Sequence, residues 1–153
     1  MTIYYQNVRG LKSKTSDFFL SVTMHNFDII ALTETWLDDS VHNAELFDNR
    51  YTVFRRDRGS RGGGVLIAVR DALVRSCCRV PVLEVDGEHV WLRLESGGMV
   101  LFICIVYFPP SSTSIQTSSF FQAMLAGANL LKCGNILVLG DFNVPSLHFI
   151  KCD

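Results

Sequence analysis

Met99–Phe108 (MVLFICIVYF) is a run of ten consecutive apolar residues, and no other segment limits the possible folds as much. It is far short of the roughly 20 residues a helix needs to cross a bilayer. Its β-branched and aromatic content favours a strand. Side chains on a strand alternate between two faces, so a strand that is apolar throughout, here Met99–Tyr107, must be covered on both. At 153 residues, 48% hydrophobic and 19% charged, the chain can supply one such core as a single domain over residues 1–153. The same figures exclude a disordered or low-complexity chain.

Strand signals dominate elsewhere too. Thr2–Asn7, Asp28–Thr33, Tyr51–Arg56, Gly63–Val69, Val80–Val85, His89–Glu95 and Asn135–Leu139 read as strands. Asp86-Gly87 between two of them gives a two-residue hairpin signal. Helices are expected near Ser13–His25 and over Phe120–Lys132, the second with Ser119 and Gln122 as a capping box. Two helices cannot alternate with this many strands. The expected architecture is α/β of the α+β kind: a four-layer α-β-β-α sandwich of two mixed sheets flanked by helices.

Lys+Arg is 14 and Asp+Glu 15, a net charge of −1, which excludes a generally basic nucleic-acid binder. The balance is local. Between Arg50 and Arg79 stand eight basic and two acidic residues, a net +6 that leaves −7 for the rest. Such a segment fits an exposed arginine-rich hairpin or a phosphate-facing patch. The five cysteines are odd in number and lack C-x-x-C spacing, so neither a disulfide framework nor a zinc knuckle is expected. No secretory signal and no membrane-spanning run is visible, and an intracellular chain, nuclear or cytoplasmic and not secreted, is expected. Gly62-Gly63-Gly64 lacks the G-K-[ST] ending of a phosphate-binding loop, so no nucleotide cofactor is expected and the glycines read as a flexible turn.

Four polar residues share one kind of position. Asn7, Glu34, Tyr107 and Asp141 each lie at, or within two residues of, the C-terminal end of an expected strand. Strand ends are rigid, and parallel strands deliver such side chains to a common edge. Asn143 stands two residues after Asp141 and faces the same way if the segment is extended. Each residue alone is ordinary loop chemistry; the set is what points to a site.

The motifs around these residues carry a resemblance. QNVRGL (Gln6–Leu11), LTETW (Leu32–Trp36), RRDR followed by RGGGV (Arg55–Arg58, Arg61–Val65), VYFPP (Val106–Pro110) and LGDFNVP (Leu139–Pro145) occur in this order. Together they resemble the endonuclease–exonuclease–phosphatase superfamily, which includes apurinic endonucleases and pancreatic DNase. Within it the chain looks most like the endonuclease domain of arthropod-type non-LTR retrotransposons. The resemblance implies Mg²⁺-dependent phosphodiester hydrolysis, with Mn²⁺ able to substitute. It implies DNA as partner and target, no membrane, and linkage in the native gene to a reverse transcriptase region. The alternative is a catalytically dead remnant that keeps the fold with weak metal and DNA binding.

The implied roles follow the motifs. Glu34 matches the acidic metal ligand, with Asn7 supporting the metal and the hydrogen-bond network. Tyr107 matches the tyrosine that contacts the scissile phosphate. Asp141 matches the aspartate that orients or deprotonates the attacking water, and Asn143 the amide that stabilises the transition state. Arg9, Arg55, Arg56, Arg58 and Arg61 are candidate DNA contacts. One departure stands out: the superfamily's motif set closes with a Ser-Asp-His element, and the sequence ends at Asp153 without it. His148, preceded by Leu147, is not expected to replace it. By this resemblance the domain reads as C-terminally truncated, poorly active alone, with an open sheet edge and with Trp91, Phe102 and Phe108 less covered than in a full domain. His25, His42 and His89 read as structural or surface residues.

Overall fold

The computed structural model describes residues 1–59, 61–74 and 77–143. Along the chain the strands are β1 (Ile3–Asn7), β2 (Ile29–Thr33), β3 (Tyr51–Arg56), β4 (Val65–Arg70), β5 (Cys77–Arg79), β6 (Glu88–Ser96), β7 (Met99–Tyr107) and β8 (Asn135–Asp141). The helices are α1 (Thr15–Met24), α2 (Asn43–Leu46), α3 (Asp71–Val74), α4 (Ser114–Ala126) and α5 (Ala128–Leu131). One sheet has the order β1-β2-β4-β3, the other β5-β6-β7-β8. Both are mixed: β1 runs parallel to β2 and β7 parallel to β8, while the remaining pairs are antiparallel.

Alternation along β2, β4, β6 and β7 divides the core into three slabs. Ile30, Leu32, Leu66 and Ala68 face α1 and α2, where Val22 and Leu46 complete the cluster. Their neighbours Ile29, Ala31, Val65, Ile67 and Val69 turn to the opposite face and meet Val90, Leu92, Ile103 and Ile105 of the other sheet. From there Trp91, Phe102, Cys104 and Val106 point outward to Phe120 of α4 and Leu131 of α5. Three slabs between four layers is the expected α-β-β-α sandwich. The run that demanded cover on both faces, β7, lies between two of them.

Several local expectations are corrected. Val80–Val85 is not a strand: Val80 makes a last bond to Trp91 O at 3.0 Å. Pro81, which has no N–H to offer a ladder, then turns the chain into a 3-10 turn, Pro81–Leu83. Asp86-Gly87 is therefore no tight hairpin. The two-residue turn is Gly97-Gly98, with φ of 57° and 78°, joining paired Ser96 and Met99. Two positive φ angles match the twist of a type I′ hairpin. The second long helix starts earlier than expected. Its cap is Thr113, whose hydroxyl accepts Gln116 N–H at 3.3 Å while Gln116 Oε1 accepts Thr113 N–H at 3.0 Å. Ser119 instead donates to Ile115 O at 2.9 Å, and the helix breaks at Gly127 before α5.

Trp91, Phe102 and Phe108 are 0%, 0% and 6% exposed, contrary to the expected thinning of their cover: Phe120 lies over Trp91 and Phe108. Among the described residues β8 is an edge strand, and Ile136 on it is exposed. His148 and Cys152 lie outside the described residues. No described helix is long and apolar enough to cross a membrane.

His89 is buried at the start of β6. Its Nε2 accepts Val85 N–H at 3.1 Å, and its ring meets Phe120 edge-on. Burial, with help from Arg56, pushes its pKa down to about 4. An accepting Nε2 carries no proton, so protonation breaks this bond. The unfolded chain binds the proton near pH 6.5 and the folded chain only near 4, so stability is fully present above that window and falls as pH drops through it. The loss should reach about 3 kcal/mol. Urea melts between pH 7 and 4 should show it, and His89→Gln should remove most of the pH dependence.

Candidate active site

β1 and β2 run side by side and end level, with Asn7 paired to Thr33. In the other sheet β7 and β8 do the same, with Tyr107 paired to Asp141. The sheets pack so that both pairs of ends meet at one edge. Asn7 joins them: its Nδ2 donates to Glu34 Oε1 at 2.9 Å and, across the sheet interface, to Asp141 Oδ2 at 2.9 Å. One amide thus holds two carboxylates from different sheets. Its Oδ1 accepts Arg9 N–H at 3.2 Å, which fixes the amide with its nitrogen toward the acids.

The backbone here is unusual. The non-glycine residues with positive φ among those described are Arg9, Glu34, Trp36 and Asn143, at 45°, 55°, 54° and 43°. All follow β1, β2 or β8. Left-handed backbone costs an L-residue roughly 1–2 kcal/mol, and such strain is held where surrounding structure over-determines it. Here Val8, Gly10 and Leu11 N–H groups donate to Thr33, Glu34 and Thr35 carbonyls at 3.0, 2.8 and 2.8 Å. Gly10 lies flat against the Trp36 ring, where an added Cβ would stand 2.7 Å from Cε3. No larger residue fits this turn.

Tyr107 is buried beside the acids. Burial raises its pKa, and the charges of Glu34, Glu88 and Asp141 add to the shift, as does a hydrogen bond with Glu34. Its hydroxyl therefore keeps its proton at neutral pH and is a donor. Asn143 is exposed at the rim and donates Nδ2–H to Phe108 O at 2.9 Å. The five residues singled out in the sequence thus lie around one sheet edge. Tyr5 and Glu88 were missed. Tyr5 bonds the Thr33 hydroxyl at 3.3 Å; burial raises its pKa, Thr33 opposes that, and Asp141 and Glu34 add to it. Tyr5 stands two residues before Asn7, on the same face of β1, a signal the spacing did carry. Glu88 pairs with Tyr107 across β6 and β7.

The arginines divide. Arg55 is a correction: its side chain is 17% exposed and ion-paired to Asp57 at 3.2 Å, with Nη2 donating to Asp38 O at 3.3 Å. These bonds tie the end of β3 to the loop at Asp38 and leave little of the side chain exposed. Arg56 donates to Val85 O at 3.1 Å, and Arg58 lies 3.6 Å from Glu88. Arg61 stacks over the Trp36 ring at 6.0 Å, and Arg9 is exposed on the loop after β1.

The donor set can be tested against a metal ion. Among the described residues no group of three or more His, Cys, Asp and Glu side chains could hold one. The edge instead offers the oxygens of Glu34 and Asp141. An oxygen-only set with one or two carboxylates suits a hard, largely hydrated divalent cation and not zinc. Asn7, expected as a second ligand, turns its nitrogen to the acids, so Glu34 is the better-placed oxygen donor.

A two-sheet sandwich with carboxylates, amides and a tyrosine converging on one edge defines a class of α/β domain, and comparison with known proteins agrees. The family model described as "Endonuclease/Exonuclease/phosphatase family" matches residues 5–150, and the chain belongs to that family. It is 26% identical over 136 residues to the RNA-directed DNA polymerase from mobile element jockey of Drosophila funebris, a match covering 88% of this chain and 14% of that protein. The fold is similar to the endonuclease domain of TRAS1, a telomere-specific non-LTR retrotransposon, with TM-score 0.68, 16% identity and coverage of 94% of this chain and 59% of that one. It is also similar to the catalytic domain of Xenopus laevis APE2, with TM-score 0.67, 19% identity and coverage of 100% and 62%. The chain therefore spans about a seventh of the jockey polymerase and about three-fifths of either solved domain.

Proposed function

We propose that this chain is a divalent-cation-dependent DNA endonuclease domain. It uses Mg²⁺, replaceable by Mn²⁺, and in its native protein it nicks target DNA for a linked reverse transcriptase. The observation that carries this reading is the Asn7 amide holding Glu34 and Asp141 together across the two sheets. Hydrolysis of a phosphodiester needs a base beside the nucleophile and donors or cations at the phosphate oxygens. Both needs meet at this edge.

In this reading Glu34 binds the cation, which when present would neutralise charge on the phosphate. Asp141 takes a proton from the attacking water as the water oxygen bonds to phosphorus and the P–O bond to the leaving oxygen breaks; the leaving oxygen keeps the bonding pair and takes a proton from solvent. Tyr107, held protonated, turns its one O–H from Glu34 to a non-bridging oxygen when the phosphate binds. Asn143 spends one amide proton on Phe108 O and keeps the other for the phosphate. Arg9, Arg56, Arg58 and Arg61 supply contacts to the DNA backbone, which needs charge but no sequence code. The alternative, a catalytically dead domain that keeps the fold with weak metal and DNA binding, would retain the same bridge, and the nicking assay separates the two.

Calorimetric titration with Mn²⁺, alongside nicking of supercoiled plasmid with and without chelator, tests the proposal. Nicking by this chain alone is expected to be slow, and chelator should stop it; Glu34→Gln should weaken Mn²⁺ binding by at least about tenfold. Equal binding by both proteins would remove Glu34 as the ligand.

A further inference from the structure

The three-glycine turn remains unexplained by the roles above. It does more than connect β3 to β4. Gly62, Gly63 and Gly64 have φ of 98°, 68° and 84°, so the whole turn is left-handed and closed to other residues without strain. Its carbonyls point at the segment that carries Glu34: Thr35 N–H donates to Gly64 O at 3.2 Å and Trp36 N–H to Gly63 O at 2.9 Å. Its own N–H points to the other sheet, where Gly64 N–H donates to Glu88 Oε2. A Cβ on Gly63 would collide with that same carboxylate. The second Glu88 oxygen lies 3.6 Å from Arg58 Nε, on the loop leading into the turn.

We infer that Glu88 and the three-glycine turn form a clamp between the sheets that positions the Glu34 carboxylate. Glu34 and Trp36 both hold positive φ, a conformation that residues of their size leave unless neighbours enforce it. The loop after β1 enforces it from one side, through the Gly10 N–H bond to Glu34 O. The glycine turn enforces it from the other. That turn is a left-handed loop with no side chains of its own to anchor it, and Glu88 supplies the anchor. Glu88 also sits opposite Tyr107 in the ladder, so one residue ties the turn to the strand that carries the tyrosine. Glu88 is a positioning residue: it acts through the turn on Glu34. The metal-binding part of this inference rests on the function proposed above; the clamp itself does not.

The experiment uses three substitutions at one position. Glu88→Gln keeps an acceptor for Gly64 and loses the charge. Glu88→Asp keeps the charge and loses the reach. Glu88→Ala loses both. Two readouts are taken on each folded variant: amide hydrogen exchange of Thr35 and Trp36, and Mn²⁺ affinity by titration calorimetry, with Glu34→Gln as control. Asp and Ala should speed Thr35 and Trp36 exchange by at least about tenfold and weaken Mn²⁺ binding by about 10–100-fold, the usual cost of losing a support behind a metal ligand. Gln should stay close to wild type in both, and Glu34→Gln should lose Mn²⁺ without altering exchange. If Asp exchanges as slowly as wild type, or Gln behaves like Ala, there is no hydrogen-bonded clamp. If exchange accelerates in Asp but Mn²⁺ binding holds while Glu34→Gln loses it, the clamp does not position Glu34 and the inference fails. If Glu34→Gln binds Mn²⁺ as wild type does, the failure belongs to the proposed function, and the exchange data alone decide the clamp. Should Ala not fold, the Gln and Asp pair decides the clamp by the same two criteria.

Discussion

Asp141→Asn is expected to slow divalent-dependent nicking of supercoiled plasmid by about 10²–10⁴-fold, the usual contribution of a general base, with little change in thermal stability. The substitution is nearly isosteric, and an asparagine oxygen can still accept the Asn7 Nδ2–H that now reaches Asp141 at 2.9 Å. Gly140 is untouched. This matters because that glycine lets β8 press against the Val106 carbonyl, where a Cβ would collide. What asparagine cannot do is take a proton from water. The variant therefore separates chemistry from architecture. A drop of less than about tenfold, with the melting transition unchanged, would mean that Asp141 orients groups at the edge and another residue acts as base.

Much of the architecture was legible because it rests on period-two patterning. The unbroken run of Met99–Tyr107 required cover on both faces of the second sheet, and two of the core slabs supply it. His89–Glu95, whose alternation reads as a half-buried strand, is covered on both faces as well, with Val90 and Leu92 toward one and Trp91 toward the other. The errors came where a local signal had two readings. Asp86-Gly87 reads as a tight turn from the dipeptide alone, and Pro81 argues against it, because a proline ends the ladder that this turn would need. That error had a consequence at the site. With Asp86-Gly87 taken as a hairpin, Glu88 became a turn neighbour. In the fold it is the first residue of β6, opposite Tyr107. The helix cap was displaced for a similar reason: Thr113–Gln116 and Ser119–Gln122 share one pattern, and the choice between them is made by packing, with Phe120 inside the helix and against the second sheet.

The site itself was legible as positions and not as contacts. Asn7, Glu34, Tyr107 and Asp141 could be placed at strand ends, but which amide faces which acid depends on how the two sheets are set against each other. The Asn7–Asp141 bond spans 134 residues of sequence, and no local pattern reports it. The arginines show the converse. Arg55, Arg56, Arg58 and Arg61 are equivalent in a charge count, whereas the fold buries Arg55 against Asp57. Burial there raises the Asp57 pKa even though Arg55 opposes it, as expected for a pair formed inside the hairpin.

Asn7→Ala is the second change expected to have a large effect, and it is the sharper test because Asn7 takes no part in bond making. Its amide is the only described group that bonds both Glu34 and Asp141. Without it, no described group bonds both carboxylates at the edge. Like charges at short range repel, so each side chain is free to turn away from the other. Displacing catalytic groups by about 1 Å can cost about 10²-fold in rate, and a loss of that order is expected here together with weaker Mn²⁺ binding. Asn7→Asp should be no better than alanine, because it replaces the shared donor with a third carboxylate. Thermal melts should show both variants folded, since Asn7 lies at the end of β1, outside the three apolar clusters. If Asn7→Ala nicks and binds Mn²⁺ like wild type, Glu34 and Asp141 hold their places by packing alone, and the amide is a passenger in a site that the two sheets have already set.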